Sequence, residues 1–322
     1  MITIAGAGLA GLACAYELAQ RGAKVTLYEQ GDTIGAASVS RYAGGMLAPW
    51  CERESAEEEV ITLGQHAADW WGRITPVHRR GTLVVTPPRD RAELHRFARR
   101  TSGHRSVDGA EIATLEPALE GRFNQGLLFE QEAHLDPRRA VQDLSAKVQE
   151  LGGEIRCATP APAGVTLDCT GIAAPLPSLR PVRGEMAILH CPDINIRRTL
   201  RLLHPRMPLY LVPRDEEHFM IGGTMIESSS DRAITLRSLS DLLSAAFTLH
   251  PAFAEASVVE TGAGLRPALP DNLPRLIEQD GTLYLNGLYR HGFLLAPALA
   301  AQAAHHLLSE TSDEHHRQRQ TA

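Results

Sequence analysis

The sequence predicts an α/β protein in which a doubly wound, Rossmann-like sheet carries an inserted α+β domain. Two observations lead to this fold class. Residues 1–30 read as strand, glycine-rich turn, helix and strand, which is the order of a β-α-β unit. The chain then leaves this pattern for a long charged insertion, and it returns near its carboxyl end with a strand, a glycine-containing loop and a helix.

The opening unit is outlined by two short apolar runs. Residues 1–5 and 24–28 are predicted as buried strands, and residues 9–21 as the helix between them. The turn from the first strand to the helix reads Gly6-Ala7-Gly8-Leu9-Ala10-Gly11. This GxGxxG pattern therefore stands where a phosphate-binding turn must stand.

Each glycine of the turn has a physical task. Gly6 permits a tight turn, Gly8 lets the main chain approach a pyrophosphate, and Gly11 lets the helix pack close to the strand. The helix N-terminus supplies free N–H groups and a partial positive charge. We therefore predict a dinucleotide site.

An acidic residue completes this site. Glu29 closes the second strand, 18 positions beyond Gly11, where a carboxylate accepts hydrogen bonds from ribose hydroxyls and disfavours a 2′-phosphate. NADP is therefore not expected. From this unit, the predicted cofactor-binding residues are Gly6, Gly8, Leu9, Ala10, Gly11, Glu29 and Gln30.

The rest of the chain favours FAD over NAD. An NAD domain would continue with regular β-α units, whereas this chain departs into the insertion after Pro49. The run Leu167-Asp168-Cys169-Thr170-Gly171 is predicted as a second return to the sheet, with Gly171 at the carboxyl end where the cofactor crevice lies. A second full fingerprint is missing, because Pro267 replaces the last glycine of Gly262-Ala263-Gly264-Leu265-Arg266-Pro267.

The remaining elements follow from hydrophobic periodicity and turn residues. Residues 52–126 are predicted to be mainly helical. Further helices are predicted at 137–151, 236–247 and 294–308, further strands at 154–156, 165–168 and 283–285, and a hairpin at 209–212 and 218–222. Pro297 is expected in the first turn of the last helix, where its missing N–H costs nothing.

Composition excludes several classes of protein. The net charge of -6 argues against a nucleic-acid partner, since such proteins concentrate Lys and Arg on one face. The five cysteines are scattered and form no C-x-x-C pair, so neither a disulfide framework nor a metal site is expected. No apolar run is long enough for a membrane span, and the opening run lacks a basic n-region. We expect a cytoplasmic protein.

Five ordered motifs resemble the D-amino acid oxidase-like FAD-dependent oxidoreductases, and within them the glycine oxidases of thiamine biosynthesis. The resemblance covers nearly the whole chain. The motifs are Gly44-Gly45-Met46-Leu47-Ala48, Pro181-Val182-Arg183-Gly184-Glu185, Tyr210-Leu211-Val212-Pro213-Arg214, Ala263-Gly264-Leu265-Arg266-Pro267 and Tyr289-Arg290-His291-Gly292-Phe293-Leu294-Leu295-Ala296-Pro297.

The resemblance implies roles for particular residues. Arg266 would bind the substrate carboxylate, with Arg290 beside it near the flavin and Tyr210 lining the pocket, so these three are the predicted catalytic residues. Gly44, Gly45 and Met46 would cover the isoalloxazine ring. The loop and helix start that would contact the flavin consist of Leu288, Tyr289, Arg290, His291, Gly292, Phe293 and Leu294.

The resemblance also implies a fold and partners. The fold would be an FAD-binding domain of glutathione-reductase type at residues 1–50, 130–180 and 262–322, with a substrate domain at 51–129 and 181–261. FAD would be non-covalent, because no cysteine follows Cys191 to form the link found in sarcosine oxidases. The partners would be a small amino acid, oxygen and a thiazole synthase, and the protein would form a homo-oligomer.

Other interpretations remain open at the level of sequence. The same scaffold serves D-amino acid or amine dehydrogenases that pass electrons to an acceptor other than oxygen. A flavoenzyme that modifies a tRNA base is disfavoured by the acidic balance. Arg266 and Arg290 also suit structural arginines paired with buried carboxylates, and Tyr210 suits a packing residue.

Overall fold

The computed structural model describes residues 1–203, 209–215 and 217–320. Within them the strands are β1 (Ile2–Ala5), β2 (Val25–Tyr28), β3 (Met46–Leu47), β4 (Thr82–Val85), β5 (Arg105–Asp108), β6 (Gln125–Phe129), β7 (Ala133–His134), β8 (Glu154–Arg156), β9 (Leu167–Asp168), β10 (Arg180–His190), β11 (Thr199–Leu202), β12 (Leu209–Pro213), β13 (His218–Gly222), β14 (Ile226–Glu227), β15 (Ser257–Ala268), β16 (Arg275–Gln279) and β17 (Thr282–Asn286). The helices are α1 (Leu9–Gln20), α2 (Pro49–Glu52), α3 (Glu58–Gly64), α4 (Ala67–Trp71), α5 (Arg91–Arg100), α6 (Gly109–Leu115), α7 (Pro137–Glu150), α8 (Leu236–Leu249) and α9 (Gly292–Gln320).

The chain divides into two compact units. The first unit comprises Met1–Arg41, Arg138–Arg180 and Pro267–Ala322, and the second comprises Tyr42–Pro137 and Pro181–Arg266. The predicted domain ranges, 1–50, 130–180 and 262–322 for the cofactor and 51–129 and 181–261 for the substrate, stay a prediction. The assignment of one unit to the cofactor and the other to the substrate stays a proposal.

The first unit is built on a mainly parallel sheet. Among the described residues its strand order is β16-β17-β9-β1-β2-β8, and β1 lies between β2 and β9 with both neighbours parallel to it. Strands of this kind are apolar along their whole length because helices cover both faces, and Ile4 and Leu27 are accordingly fully buried. The carboxyl ends of β1 and β9 therefore lie side by side.

The second unit is built on a larger mixed sheet. Its strand order is β14-β10-β13-β12-β11-β4-β6-β5, with β15 also paired to β10. Side chains of β4 alternate between two cores, since Leu83 and Val85 belong to one buried cluster and Val84 to another. Helix α8 packs on the first cluster through Leu242 and Leu249, which are seven positions apart and so share a face.

Several predicted elements needed correction. The mainly helical prediction for residues 52–126 is wrong in part, because β4 and β5 lie there among the helices and β6 begins at its end. These strands are short, and β4 pairs with β11, which is remote in sequence, so no local signal marked them. The predicted hairpin is present as β12 and β13, although Glu216 at its tip lies outside the described residues.

The last helix also differs from expectation. It begins at Gly292, so Pro297 stands in its second turn and not in its first. The helix tolerates this proline because the cost is one missing N–H donor near an end where intrahelical bonding has just begun.

Across the described part of the chain, no helix combines the length and the apolar character needed to cross a membrane.

Candidate functional site

The phosphate-binding turn of the first unit is formed by main chain packed against main chain. Gly6 has φ +89°, and a Cβ added there would lie 2.8 Å from the carbonyl oxygen of Cys169. A Cβ added at Gly11 would lie 1.9 Å from the carbonyl oxygen of Gly6. Neither position can therefore carry a side chain, and α1 starts directly over the end of β1.

The start of α1 is suited to an anion. Gly8 is its N-cap and provides no side chain to bond the first N–H groups, and the first turn holds no acidic residue. Free N–H groups at a helix N-terminus bind phosphate and benefit from the helix dipole. The residues present therefore fit the diphosphate of a dinucleotide.

Glu29 is tied into this turn more closely than its predicted role required. Its Oε2 accepts a hydrogen bond from the Ala7 N–H at 3.0 Å, and its Oε1 accepts one from the Gly31 N–H at 3.0 Å. A carboxylate has about four acceptor sites, so two remain for ribose hydroxyls. Glu29 is half-buried and Gln30 is exposed. Ribose binding by these two residues stays a prediction.

The chain after β9 closes the other side of the turn. A Cβ added at Gly6 would lie 3.3 Å from the Cα of Thr170, so Thr170 packs on the turn. Gly171, a predicted cofactor-binding residue, comes next and has φ +63°. Asn286 Nδ2 donates to the Gly171 carbonyl at 2.8 Å. No motif in the sequence pointed to Asn286, which ends β17 and is buried.

The loop before α9, which was predicted to contact the flavin, lies next to the phosphate-binding turn before α1. A Cβ added at Gly292 would lie 3.0 Å from Leu9 Cδ2, so the starts of α9 and α1 are neighbours. Phe293 and Leu294 bury their side chains and can contact a cofactor through the N–H groups of the first turn.

Within this loop the predicted residues have local contacts. The Tyr289 N–H donates to the Pro267 carbonyl at 3.0 Å, and the His291 N–H donates to the Leu288 carbonyl at 2.9 Å. Arg290 is half-buried, and its Nε donates to His291 Nε2 at 3.2 Å. The catalytic role of Arg290 stays a prediction.

In the second unit, residues 44–46 form a tight loop. Gly45 has φ +71°, and a Cβ there would lie 2.2 Å from the Leu135 carbonyl oxygen. The N–H of Leu135 donates to the Gly45 carbonyl at 2.9 Å. Arg214 fixes this loop, because its guanidinium donates to the carbonyls of Gly44 at 3.1 Å and Ala43 at 2.8 Å. The family motif that ends at Arg214 was the signal for this contact, and sequence reasoning assigned it no role.

Arg266 lies near the end of β15 in the same unit. Its Nη1 donates to the Thr224 carbonyl at 2.8 Å, and a Cβ at Gly184 would lie 2.1 Å from its Cζ. The guanidinium therefore occupies a slot that a glycine leaves open. A planar guanidinium fixed in this way can bind a carboxylate through two parallel hydrogen bonds.

Tyr210 lies close to this slot through strand register. Its Cα pairs with that of Gly222 across β12 and β13, and a Cβ on the next residue, Gly223, would lie 3.2 Å from Arg266 Nη2. The Tyr210 hydroxyl donates to Glu52 Oε1 at 2.6 Å. Strand pairing thus places Tyr210 opposite the residue that precedes Gly223, and contact of Tyr210 or Arg266 with a substrate stays a prediction.

A buried charged cluster, formed by Glu52, Glu132 and Arg201, contacts Tyr210 through Glu52 and Arg201. The Arg201 guanidinium stacks on the Tyr210 ring at 4.9 Å from its centroid and donates to the Cys51 carbonyl at 3.1 Å. Burial raises the pKa of Glu132 to about 8, and its Oε1 accepts the Cys51 N–H at 2.7 Å. The sequence did not predict this cluster, because its members come from segments far apart.

A search of the described residues finds no group of three or more His, Cys, Asp or Glu side chains that could hold a metal ion.

Comparison with known proteins identifies the family. The family model described as FAD dependent oxidoreductase matches residues 1–306, and the chain belongs to this family. It is an FAD-dependent oxidoreductase, and the predictions of an enzyme, of FAD and of the Rossmann-like fold are confirmed.

Individual relatives agree with this assignment. The chain is 55% identical over 317 residues to a putative thiamine biosynthesis oxidoreductase ThiO of Rhizobium etli, covering 96% of this chain and 97% of the relative. It is 29% identical to a glycine oxidase of Pseudomonas aeruginosa, covering 92% of each. The crystal structure of glycine oxidase from Bacillus cereus shares the fold with a TM-score of 0.78 at 20% identity, covering 96% of this chain and 95% of the other.

Proposed function

We propose that the protein oxidises glycine or a similarly small amino acid or secondary amine. Hydride leaves the substrate Cα and the amine becomes an imine, which water converts to glyoxylate and ammonia when the substrate is glycine. When bound, FAD supplies the hydride acceptor, and oxygen takes up the two electrons and two protons as hydrogen peroxide. The D-amino acid or amine dehydrogenase, with a different electron acceptor, is the second candidate.

The observation that carries the proposal is the Arg266 guanidinium in its glycine slot. An amino-acid substrate presents one planar carboxylate next to the reacting carbon, and a fixed arginine orients that carbon by holding the carboxylate. Tyr210 pairs with Gly222, the residue before Gly223, and its hydroxyl donates to Glu52, which supports a role for Tyr210 in lining the pocket in one defined orientation. Support also comes from the glycine oxidase among the relatives.

The first unit would hold the cofactor. The α1 N-terminus would bind the diphosphate, Glu29 the ribose, and the N–H groups at the start of α9 would stabilise negative charge as it develops on the ring system. The reactive amine must be neutral, so solvent suffices as the base.

The proposal extends to thiamine biosynthesis, in which the imine would pass to a thiazole synthase. The name of the Rhizobium etli relative supports this extension. Purified protein with glycine should then replace added glyoxylate and ammonia in a thiazole synthase reaction.

A peroxide assay of purified protein with glycine, sarcosine and D-alanine tests the proposal. We expect peroxide with at least one of the three, and Arg266→Ala should raise the KM by about tenfold or more while FAD stays bound, because a hydrogen bond to a charged group contributes roughly 1.5 to 3 kcal/mol. Arg275→Ala, which removes an exposed arginine of the first unit, is the matched control. FAD-containing protein that is silent on all three substrates would contradict the oxidase. If substrate bleaches the flavin without oxygen and oxygen does not restore its colour, the dehydrogenase is supported instead.

A further inference from the structure

The motif Arg183-Gly184-Glu185 has no role in the reaction as proposed so far. Its glycine forms one wall of the slot for Arg266, since a Cβ there would lie 2.1 Å from Cζ and 2.2 Å from Nη2 of that arginine. Gly223 also borders the slot, since a Cβ there would lie 3.2 Å from Nη2. The two glycines thus leave room for one flat guanidinium.

Thr224 anchors the guanidinium at the end of the slot. Its carbonyl accepts the hydrogen bond from Arg266 Nη1 at 2.8 Å. Thr224 is itself held to Glu185 at three points: its N–H donates to the Glu185 carbonyl at 3.2 Å, its Oγ1 accepts the Glu185 N–H at 2.9 Å, and the same hydroxyl donates to Glu185 Oε2 at 3.0 Å. The carbonyl that Arg266 uses therefore has a fixed direction.

Glu185 is fixed in turn by Arg183. Both side chains are almost fully buried, and Glu185 Oε1 accepts from Arg183 Nε at 2.9 Å and Nη2 at 2.7 Å. Burial raises the pKa of Glu185, but hydrogen bonds, including those from Ser238 and Arg183, bring its pKa below the ordinary value. The carboxylate stays ionised at neutral pH and keeps its partners.

Arg183 extends the network to the segment after β14. Its Nη1 donates to the carbonyls of Ser230 and Arg232, both at 2.7 Å, and its Nη2 donates to that of Ala233 at 2.8 Å. The network thereby joins Arg266 of β15 to three segments: β10, the chain after β13 and the chain before α8.

We propose that Thr224 and Glu185 are positioning residues that orient Arg266 before the substrate carboxylate arrives. The inference rests on the proposed function, because it takes Arg266 as the carboxylate clamp. Arginine has many rotamers, and a side chain that is ordered before binding loses less conformational freedom when the ligand binds. Loss of the network should weaken carboxylate binding and leave the cofactor and the chemical step in place.

Thr224→Val is the main test, since it removes the hydroxyl and keeps both the shape and the main-chain carbonyl. We expect a KM for glycine about tenfold higher, an unchanged FAD content and a kcat within about threefold of the parent. Thr224→Ser retains the hydroxyl and should restore the parental KM. Binding of glycolate, a carboxylate without an amine, followed through the flavin absorbance, should weaken in parallel.

A double-mutant cycle separates positioning from a merely structural role. In an Arg266→Ala background, Thr224→Val should lower kcat/KM no further, because the side chain it orients is absent. An equal loss in both backgrounds would overturn the inference, as would a parental KM in Thr224→Val. If the parent oxidises no carboxylate-bearing amine and binds no glycolate, the proposed function fails and the inference fails with it. If Arg266→Ala behaves as proposed while Thr224→Val does nothing, the inference fails by itself.

Discussion

The phosphate-binding turn and the Arg266 slot both depend on glycine, but they use it differently. In the turn, Gly11 lets the helix approach the Gly6 carbonyl within a six-residue motif, and Gly6 lets the turn pack against the main chain of Cys169. In the slot, Gly184 and Gly223 make room for a side chain from a third strand. The glycines of the turn belong to one contiguous motif, whereas the slot exists only once three remote segments have come together.

The two regions also differ in how they treat charge. The turn presents N–H groups at a helix start, and its one carboxylate, Glu29, is half-buried. The second unit instead buries Arg183, Glu185, Glu132 and Arg201, and such groups remain in a core only when they are paired or change protonation state. The turn should therefore be sensitive to volume, and the second unit to pH.

The largest effect is expected from Gly11→Ala. The added methyl would collide with the Gly6 carbonyl oxygen, which is main chain and cannot step aside cheaply, so the turn must open. We expect the purified protein to retain about a tenth or less of the parental FAD, measured by flavin absorbance per polypeptide, because main-chain N–H groups lose their common direction.

Gly22→Ala provides the control for this variant. Gly22 has a positive φ, which Gly11 does not, but a Cβ there would have nothing within 4 Å. It should lose roughly 1 kcal/mol of stability and keep its FAD. Full FAD occupancy in Gly11→Ala would show that the turn is not limited by volume.

A smaller effect should appear as a pH dependence of stability in the second unit. Because burial raises the pKa of Glu132 to about 8, the folded state holds a proton that the unfolded state has lost at intermediate pH. The contribution of Glu132 to stability is therefore complete below about pH 4.5 and is lost as the pH rises through 8, at about 1.4 kcal/mol per pKa unit.

Glu132→Gln removes this titration and keeps an acceptor for Cys51. The free energy of unfolding, measured by urea denaturation, should fall in the parent relative to the variant by roughly a few kcal/mol between pH 5 and 8. Glu130→Gln, at an exposed neighbouring carboxylate, should track the parent at every pH. A constant difference between parent and Glu132→Gln would refute the burial argument.

The smallest effect is expected at Glu29. Glu29→Gln keeps one acceptor oxygen and replaces the other with an NH₂ group, which is a donor. The single remaining oxygen cannot accept from the Ala7 N–H, the Gly31 N–H and a ribose hydroxyl together. The Kd of FAD should rise about tenfold to a hundredfold, since hydrogen bonds to a charged group contribute roughly 1.5 to 3 kcal/mol. Asp32 is an exposed acid nearby, and Asp32→Asn should leave the Kd of FAD, measured by titration, unchanged. An equal rise in Kd in both variants would point to net negative charge near the turn and not to hydrogen bonds of Glu29.

The sequence predicted the first unit more completely than the second. Its opening strands and helix lie within one or two residues of the predicted bounds, because alternation of apolar runs and glycine is a local signal. The strands β4, β5 and β6 were missed because they are short and because helices separate them in the sequence, although β6 pairs with both β4 and β5. Arg266 and Tyr210 were found as members of motifs, but the Glu52 carboxylate that holds Tyr210 was not.

The β-α-β start, the glycine turn and the FAD-dependent family could all be read from the residues alone, since these depend on which residues can adopt a conformation or approach a phosphate. Tertiary structure decided which carbonyl fixes Arg266, which carboxylate holds Tyr210 and which acid titrates near pH 8. These properties come from strand register and burial, which join residues as distant as Gly184 and Arg266. No short stretch of sequence contains that information.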